Sequence, residues 1–213
     1  MAEEPILQVY FVRHGESYGN VPYECPVEYG RDDPPLTPEG RMQAQALGEY
    51  YSALQFDAIY ASPLTRAVET AHAVAQRQKN AVKVQLLRDL VETGTEGEGC
   101  PAEVLKKEYP LAVPCNDKSI FENETREAAH KRGLRVVDFI IRNYKNGERV
   151  MLVSHGGFFG YVIRNFVGLG LQDDFRWKVS NTAVTKISFY PNEKPKLCFA
   201  NNLAHLPGKD LLE

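Results

Sequence analysis

The sequence predicts an α/β fold, a three-layer α/β/α sandwich with a mainly parallel sheet, helices on both faces and an inserted lid segment. Two observations predict it. Short apolar runs alternate with helical segments from Ile6 to Leu87, and a β-α-β-α-β order implies parallel strands joined by right-handed crossovers. One grammar, an apolar run followed by histidine, glycine and a helix start, occurs twice, at Val9–Ser17 and at Val150–Gly157. In open α/β sheets such turns line the crevice beyond the carboxyl ends of the strands, where ligands bind.

The elements follow in order. Ile6–Val12 is a strand by its length and its β-branched and aromatic content. Residues 18–35 hold Pro22, Pro26, Pro34 and Pro35 and read as a surface loop over the first turn. Thr37-Pro38-Glu39 opens a helix, with Thr as N-cap, Pro at the first position and an acid in the first turn. Phe56–Ala61 is the second strand. Leu64–Gln78 is the second helix, with Ser62 as its cap and Pro63 at its first position. Ala81–Leu87 is the third strand.

Residues 88–122 break the pattern with repeated Gly and Pro and one short helix over Pro101–Lys107. They read as a lid or insertion in a single domain spanning 1–213. Glu122–Tyr144 is a long amphipathic helix, with Val136, Val137, Phe139, Ile140 and Ile141 on or near its buried side. Arg149–Ser154 is a strand and Gly156–Val167 its helix. Ala183–Phe189 and Lys196–Ala200 are the last strands, an expected antiparallel hairpin.

The 213 residues, 43% hydrophobic and 25% charged, suffice for a good core. A formal net charge of -3 gives no pointer to nucleic acid or an anionic membrane as partner. Cys25, Cys100, Cys115 and Cys198 form no C-x-x-C pair and have no zinc-finger spacing. No apolar run reaches the ~18 residues of a membrane span. The acidic start Met1–Pro5 has no signal-peptide pattern, so a cytoplasmic location is expected.

Glycine allows a ligand close approach to the backbone, and helix N-termini favour anions. Arg13 directly precedes His14. Arg66 falls in the first turn of the second helix, where a cation opposes the macrodipole unless an anion is there too. The residues alone therefore point to an anion site, for phosphate, holding two imidazoles.

The motifs resemble the histidine phosphatase superfamily, the phosphoglycerate-mutase-like family with an Arg-His-Gly signature. Arg13-His14-Gly15-Glu16-Ser17 with Asn20, Leu36-Thr37-Pro38-Glu39-Gly40, Ala61-Ser62-Pro63-Leu64-Thr65-Arg66-Ala67 and Val153-Ser154-His155-Gly156-Gly157 carry the likeness. Asn181 and Asn202–Leu206 also fall where the family has similar residues.

The resemblance implies a metal-independent phosphomonoesterase without cofactor, acting on a small phosphorylated substrate. His14 would become a phosphohistidine. Arg13, Arg66 and His155 would gather the phosphate, with Ser17, Asn20 and Gly156 as further phosphate contacts. One carboxyl after the third strand would act first as acid and then as base. Glu92 is preferred for that role, and Asp89 is the alternative. A phosphoglycerate-type mutase and a phospholigand-binding protein with little turnover are the other functions considered. The absence of Trp from Tyr18-Gly19-Asn20 and the modest length between Glu92 and His155 favour the phosphatase. Tyr18, Tyr23, Tyr29, Phe121, Phe158 and Phe159 are candidates either for an apolar pocket mouth or for ordinary packing. A dimer is left open.

Overall fold

The computed structural model describes residues 4–22, 25, 33–95, 97–171 and 177–208. In chain order the elements are β1 (Leu7–Arg13), α1 (Pro38–Tyr50), β2 (Ala58–Ala61), α2 (Thr65–Ala75), β3 (Val84–Leu86), α3 (Ala102–Glu108), β4 (Ala112–Val113), α4 (Arg126–Asn143), β5 (Glu148–Ser154), α5 (Gly156–Val167), β6 (Val184–Phe189) and β7 (Lys196–Asn202). The strands form one sheet in the order β4-β3-β2-β5-β1-β6-β7. The first five strands of that order are mutually parallel. β6 runs antiparallel to β1, and β7 antiparallel to β6.

The central strands are buried on both faces, so they read as continuous apolar runs. Alternate residues of β1 and β5 serve two cores. Tyr10, Val12, Met151 and Val153 pack with α1 and α2, through Leu47, Val68, Ala71 and Val74. Leu7, Val9, Phe11, Val150 and Leu152 pack with α4 and α5, through Val136, Ile140, Phe158, Phe159 and Val162. The chain leaves β1 towards β2 by way of α1, and leaves β5 in the other direction, towards β6, by way of α5. Adjacent parallel strands whose connections diverge make a topological switch point, the place for a crevice at their carboxyl ends.

The structure departs from the sequence reading at several elements. α2 starts at Thr65 rather than Leu64, and its N-cap residue, Leu64, has no capping side chain of its own. Its cap comes from Asp33, described below. β3 is only three residues long, and the two-residue β4 was not foreseen. α4 begins at Arg126, where the Thr125 hydroxyl accepts from the Ala128 N–H. Val136, Val137 and Ile140 face inward, but Phe139 is 36% and Ile141 41% exposed. At 100° per residue the outer two rotate away from the stripe that the others share.

The first turn after β1 is held by close backbone packing. The Gly15 Cα lies so near α1 that a Cβ there would meet the Gly40 carbonyl oxygen at 2.6 Å. A Cβ on Gly40 would overlap the Glu16 carbonyl oxygen, which itself accepts from the Thr37 N–H at 3.0 Å. Gly40→Ala must separate these backbones and should cost about 3 kcal/mol of stability, as overpacked sites do. Denaturant unfolding checks this: the midpoint should fall with an unchanged slope, and a wild-type midpoint would refute the packing account.

Candidate active site

β1 and β5 pair in register, with Arg13 opposite Ser154. The His14 N–H continues the ladder by donating to the Ser154 carbonyl at 2.9 Å. The next residue of each chain is therefore a histidine at the same level. The rings of His14 and His155 lie with centroids 5.0 Å apart and planes tilted by 57°. Both side chains are buried, His14 at 3% and His155 at 0% exposure.

The hydrogen bonds of His14 assign its tautomer. Nδ1 is 2.7 Å from the Gly15 carbonyl oxygen, which can only accept, so Nδ1 carries the proton. Nε2 then holds a lone pair, and Arg66 Nε donates to it at 3.3 Å. The backbone of His14 is braced from β6 and beyond. Asn181 Nδ2 donates to the His14 carbonyl at 3.0 Å, and the Thr182 N–H donates to the Arg13 carbonyl at 3.0 Å. The Thr182 hydroxyl is 2.8 Å from the buried His205 ring. His205 thus acts on the site through Thr182.

Arg13 donates through one terminal nitrogen to the Val179 carbonyl at 2.7 Å, and its guanidinium lies over Gly156 at the start of α5. His155 Nε2 is 2.8 Å from the Ser62 hydroxyl. Ser62, read from sequence as the cap of α2, accepts from the Leu64 N–H at 3.3 Å, one residue ahead of the helix, and is also fully buried against this histidine. Arg13 Nε and His155 Nδ1 are both buried without a hydrogen-bond partner among the described residues. A buried donor left unmade costs about 1–3 kcal/mol. Arg13 Nε can only donate, and His155 Nδ1 donates in the tautomer whose Nε2 accepts from the Ser62 hydroxyl, so the cluster marks a place for acceptors.

The two candidate acids part company. Asp89 is held by Arg135 on α4, with oxygens at 3.0 and 2.6 Å from Nε and a terminal nitrogen. Glu92 instead caps α5. Its carboxylate accepts from the N–H of Gly157 at 3.0 Å and of Phe158 at 2.7 Å. A Cβ on Gly157 would stand 2.7 Å from this carboxylate, so glycine is what lets the cap close. Glu92 lines a cavity of about 480 Å³ together with Arg66, Leu64, Thr93, Gly94, Thr95 and Gly97. It also bears electrostatically on both Arg13 and Arg66.

The remaining candidates fall as follows. Ser17 is buried, and its hydroxyl donates to Asn20 Oδ1 at 3.1 Å. Asn181 Nδ2 meets the same oxygen at 3.1 Å. Phe158 and Phe159 are core residues, at 0% and 1% exposure, and not a pocket mouth. The Phe121 ring lies 4.4 Å from the Arg132 guanidinium. Tyr23 and Tyr29 lie outside the described residues. Among the described residues no group of three or more His, Cys, Asp or Glu side chains is placed to hold a metal ion, and no helix is long and apolar enough to cross a membrane.

Asp33, Thr182 and Arg132 are site-supporting residues that sequence reasoning missed, while Thr70 and Asn181 stood out only as matches to the family's pattern. Thr70 accepts from the Gly15 N–H at 3.0 Å and donates to the Arg66 carbonyl at 2.7 Å, joining the two motifs. Thr70 was part of a recognisable segment, but nothing in that segment says which backbone its hydroxyl meets.

Burial sets the electrostatics. It pushes the His14 imidazole well below its ordinary value of 6.5, and Arg66 and Arg13 add to the shift, against the opposing hydrogen bond to Gly15. His155 is pushed the same way by burial, then by Arg66, His14 and Arg13. The guanidiniums are lowered by burial too, but Glu92 opposes this for Arg13, and Asp33 and Glu92 oppose it for Arg66. The arrangement therefore presents neutral imidazoles beside permanent positive charge.

Comparison with known proteins agrees with this geometry. The family model of the histidine phosphatase superfamily, branch 1, matches residues 9–202. The chain belongs to that superfamily. It is 29% identical to an uncharacterized phosphatase, PhoE, of Bacillus subtilis, over 94% of this chain and 97% of that protein. It is 25% identical to a probable phosphoglycerate mutase, GpmB, of Salmonella arizonae, over 88% of this chain and 87% of that protein. Its fold resembles that of a phosphoserine phosphatase mutant from Entamoeba histolytica in complex with phosphoserine. The TM-score is 0.67 at 22% identity, over 94% of this chain and 99% of that one.

The depressed histidines make a prediction about acid stability. The unfolded chain takes up protons near pH 6.5, while the folded chain refuses them until lower pH. The unfolded state then binds more protons, and stability falls as pH drops below that value. Each such histidine contributes a slope of up to about 1.4 kcal/mol per pH unit. Denaturant unfolding between pH 7.5 and 5.5 should show this loss, and it should shrink in His155→Gln. A flat profile in the wild type would contradict the buried, neutral pair.

Proposed function

We propose that this member of the histidine phosphatase superfamily is a phosphomonoesterase that works through a phosphohistidine on His14. The observation that carries the reading is the state of His14: Nδ1 is tied to the Gly15 carbonyl, leaving Nε2 as a buried lone pair beside Arg66. That is a nucleophile held in one tautomer and kept unprotonated by its surroundings.

In the proposed reaction the substrate phosphate sits among Arg13, Arg66, His155 and the N-terminus of α5 at Gly156, with Ser17 and Asn20 at the rim. The orphaned nitrogens of Arg13 and His155 supply donors for its oxygens. His14 Nε2 attacks phosphorus while the bond to the leaving alkoxide breaks, and the alkoxide takes a proton from the Glu92 carboxyl. Glu92, now a carboxylate, takes a proton from water. That water attacks the phosphohistidine, the N–P bond breaks, and inorganic phosphate departs. The guanidiniums balance charge on the equatorial oxygens, which is the main need of phosphoryl transfer.

Hydrolysis rather than transfer back to an organic acceptor is supported by the space beside Glu92. Glu92 lines a cavity of about 480 Å³, far more than the roughly 30 Å³ that one water occupies, which leaves room for water at the acid. Thr93, Gly94, Thr95 and Gly97, from the segment read as a lid, form one wall of that cavity. Small phosphorylated compounds are the substrate class that fits, in keeping with the phosphoserine bound by the Entamoeba relative.

Turnover of p-nitrophenyl phosphate without added metal tests the proposal. His14→Ala should abolish it with the fold intact. Arg66→Ala should lower kcat by roughly a hundredfold or more, as removal of one preorganised donor does. Glu92→Gln should lower it by about 10²–10⁴, while Asp89→Asn should stay near wild type. Acid-labile phosphate on the wild-type protein, absent in His14→Ala, would identify the intermediate. An Asp89→Asn variant as impaired as Glu92→Gln would overturn the assignment of the acid.

A further inference from the structure

Asp33 is a carboxylate that the proposed reaction does not use. Its side chain is 16% exposed and lies in the loop between β1 and α1. Both of its oxygens approach the Thr65 N–H, at 3.0 and 2.9 Å, and Oδ2 accepts from the Thr65 hydroxyl at 2.7 Å. Thr65 is the first residue of α2, whose own N-cap residue offers no side chain and whose first turn holds no acid. A residue 32 positions upstream therefore fills the capping role. The same carboxylate stands 3.6 Å from a terminal nitrogen of Arg66, whose side chain is 13% exposed.

Arg66 is thus held at two points. Asp33 faces one end of the guanidinium, and Nε points to the lone pair of His14. An arginine in the first turn of a helix is unfavourable by the macrodipole alone, and a carboxylate at the same helix end offsets this. A guanidinium has five donors in a rigid plane, so fixing one edge fixes where the others point. Asp33 is itself pushed up by burial, with Thr65 and Arg66 holding it down.

We propose that Asp33 is the positioning residue of the site: it fixes the Arg66 guanidinium against His14 Nε2 and ties residues 33–35, ahead of α1, to the start of α2. The loop end is independently held by the Tyr18 N–H on the Pro35 carbonyl at 3.1 Å and by the Ser17–Leu36 bridge. Asp33 touches no reacting atom. It acts through Arg66, and the inference rests on the phosphatase reading only in naming the reaction that Arg66 serves.

A double-mutant cycle tests this, with Asp33→Asn, Arg66→Ala and the double variant. Asn keeps the shape and an oxygen for the Thr65 N–H but removes the charge. Asp33→Ser, a good uncharged cap, replaces it if Asp33→Asn folds poorly. Two readouts are taken: affinity for inorganic phosphate by calorimetry, and kcat/KM on p-nitrophenyl phosphate. Asp33→Asn alone should lower both about tenfold, the scale of a misplaced contact group. In the Arg66→Ala background it should change neither by more than about twofold, the limit for non-coupled error. Equal losses in both backgrounds, or no loss in the single variant, would overturn the role. A wild-type protein that binds phosphate without turnover would overturn the proposed reaction, and the cycle on phosphate affinity would still decide on Asp33. No phosphate binding at all would overturn both.

Discussion

Everything at this site depends on one ladder, the parallel pairing of β1 with β5. The register sets Arg13 against Ser154, so the histidine after each strand arrives at the same height. Side chains alternate between two sheet faces, and both faces are buried here. A slip of one residue would move Val12 into the α4–α5 layer and Phe11 into the α1–α2 layer, and every large residue would meet the wrong partner. The apolar packing of two cores therefore holds two polar rings 5.0 Å apart. The crossovers then diverge from these two strands, so no helix covers the end where the rings emerge.

That placement carries an electrostatic cost that the chemistry of the residue types resolves. Four basic side chains share a buried space, and burial disfavours charge on all of them. A guanidinium cannot shed its proton in a protein, whereas an imidazole can. Loss of charge therefore falls on His14 and His155, and permanent charge stays on Arg13 and Arg66. Glu92 and Asp33 support the arginines and are absent from the influences on His14. Imidazole lone pair and permanent charge are separated by residue type alone, and His14 stays unprotonated without a dedicated base.

The local signals were legible and the remote ones were not. Thr37-Pro38 marked the start of α1, and the Thr37 hydroxyl does accept from the Gly40 N–H at 3.0 Å. The two His-Gly turns were legible because strand, turn and helix start are contiguous in sequence. Ser62-Pro63 gave the same signal as Thr37-Pro38 and told only half, because the Ser62 hydroxyl takes the Leu64 N–H ahead of α2 and also meets a histidine 93 residues away. The cap of α2 was invisible for the matching reason: Asp33 is near Thr65 only after folding. Arg88 and Arg132 carry no local signal of burial, yet they are 2% and 0% exposed. Nothing local distinguishes an arginine bound for solvent from one whose donors find carbonyls in the interior.

Those two buried arginines explain how an irregular segment holds a carboxylate still. Arg88 donates to the carbonyls of Gly97, Glu98 and Ser119, at 2.8, 3.0 and 2.7 Å. Arg132 donates to the carbonyls of Asp89 and Val91, each at 2.8 Å, and pairs with Glu124 at 2.6 Å. Its guanidinium lies between the rings of Phe121 and Phe158, at 4.4 and 3.7 Å. A buried ion pair repays its desolvation only when its remaining donors are satisfied, and here they are spent on the backbone just before Glu92. The carbonyls that a sheet ladder would have paired are met by side chains instead. Glu92 is then fixed from both directions, by Arg132 behind it and by the α5 amides in front. Thr93, Gly94, Thr95 and Gly97 line the same cavity without sharing these anchors, so the cavity wall and the carboxylate are held by neighbouring but separately anchored residues.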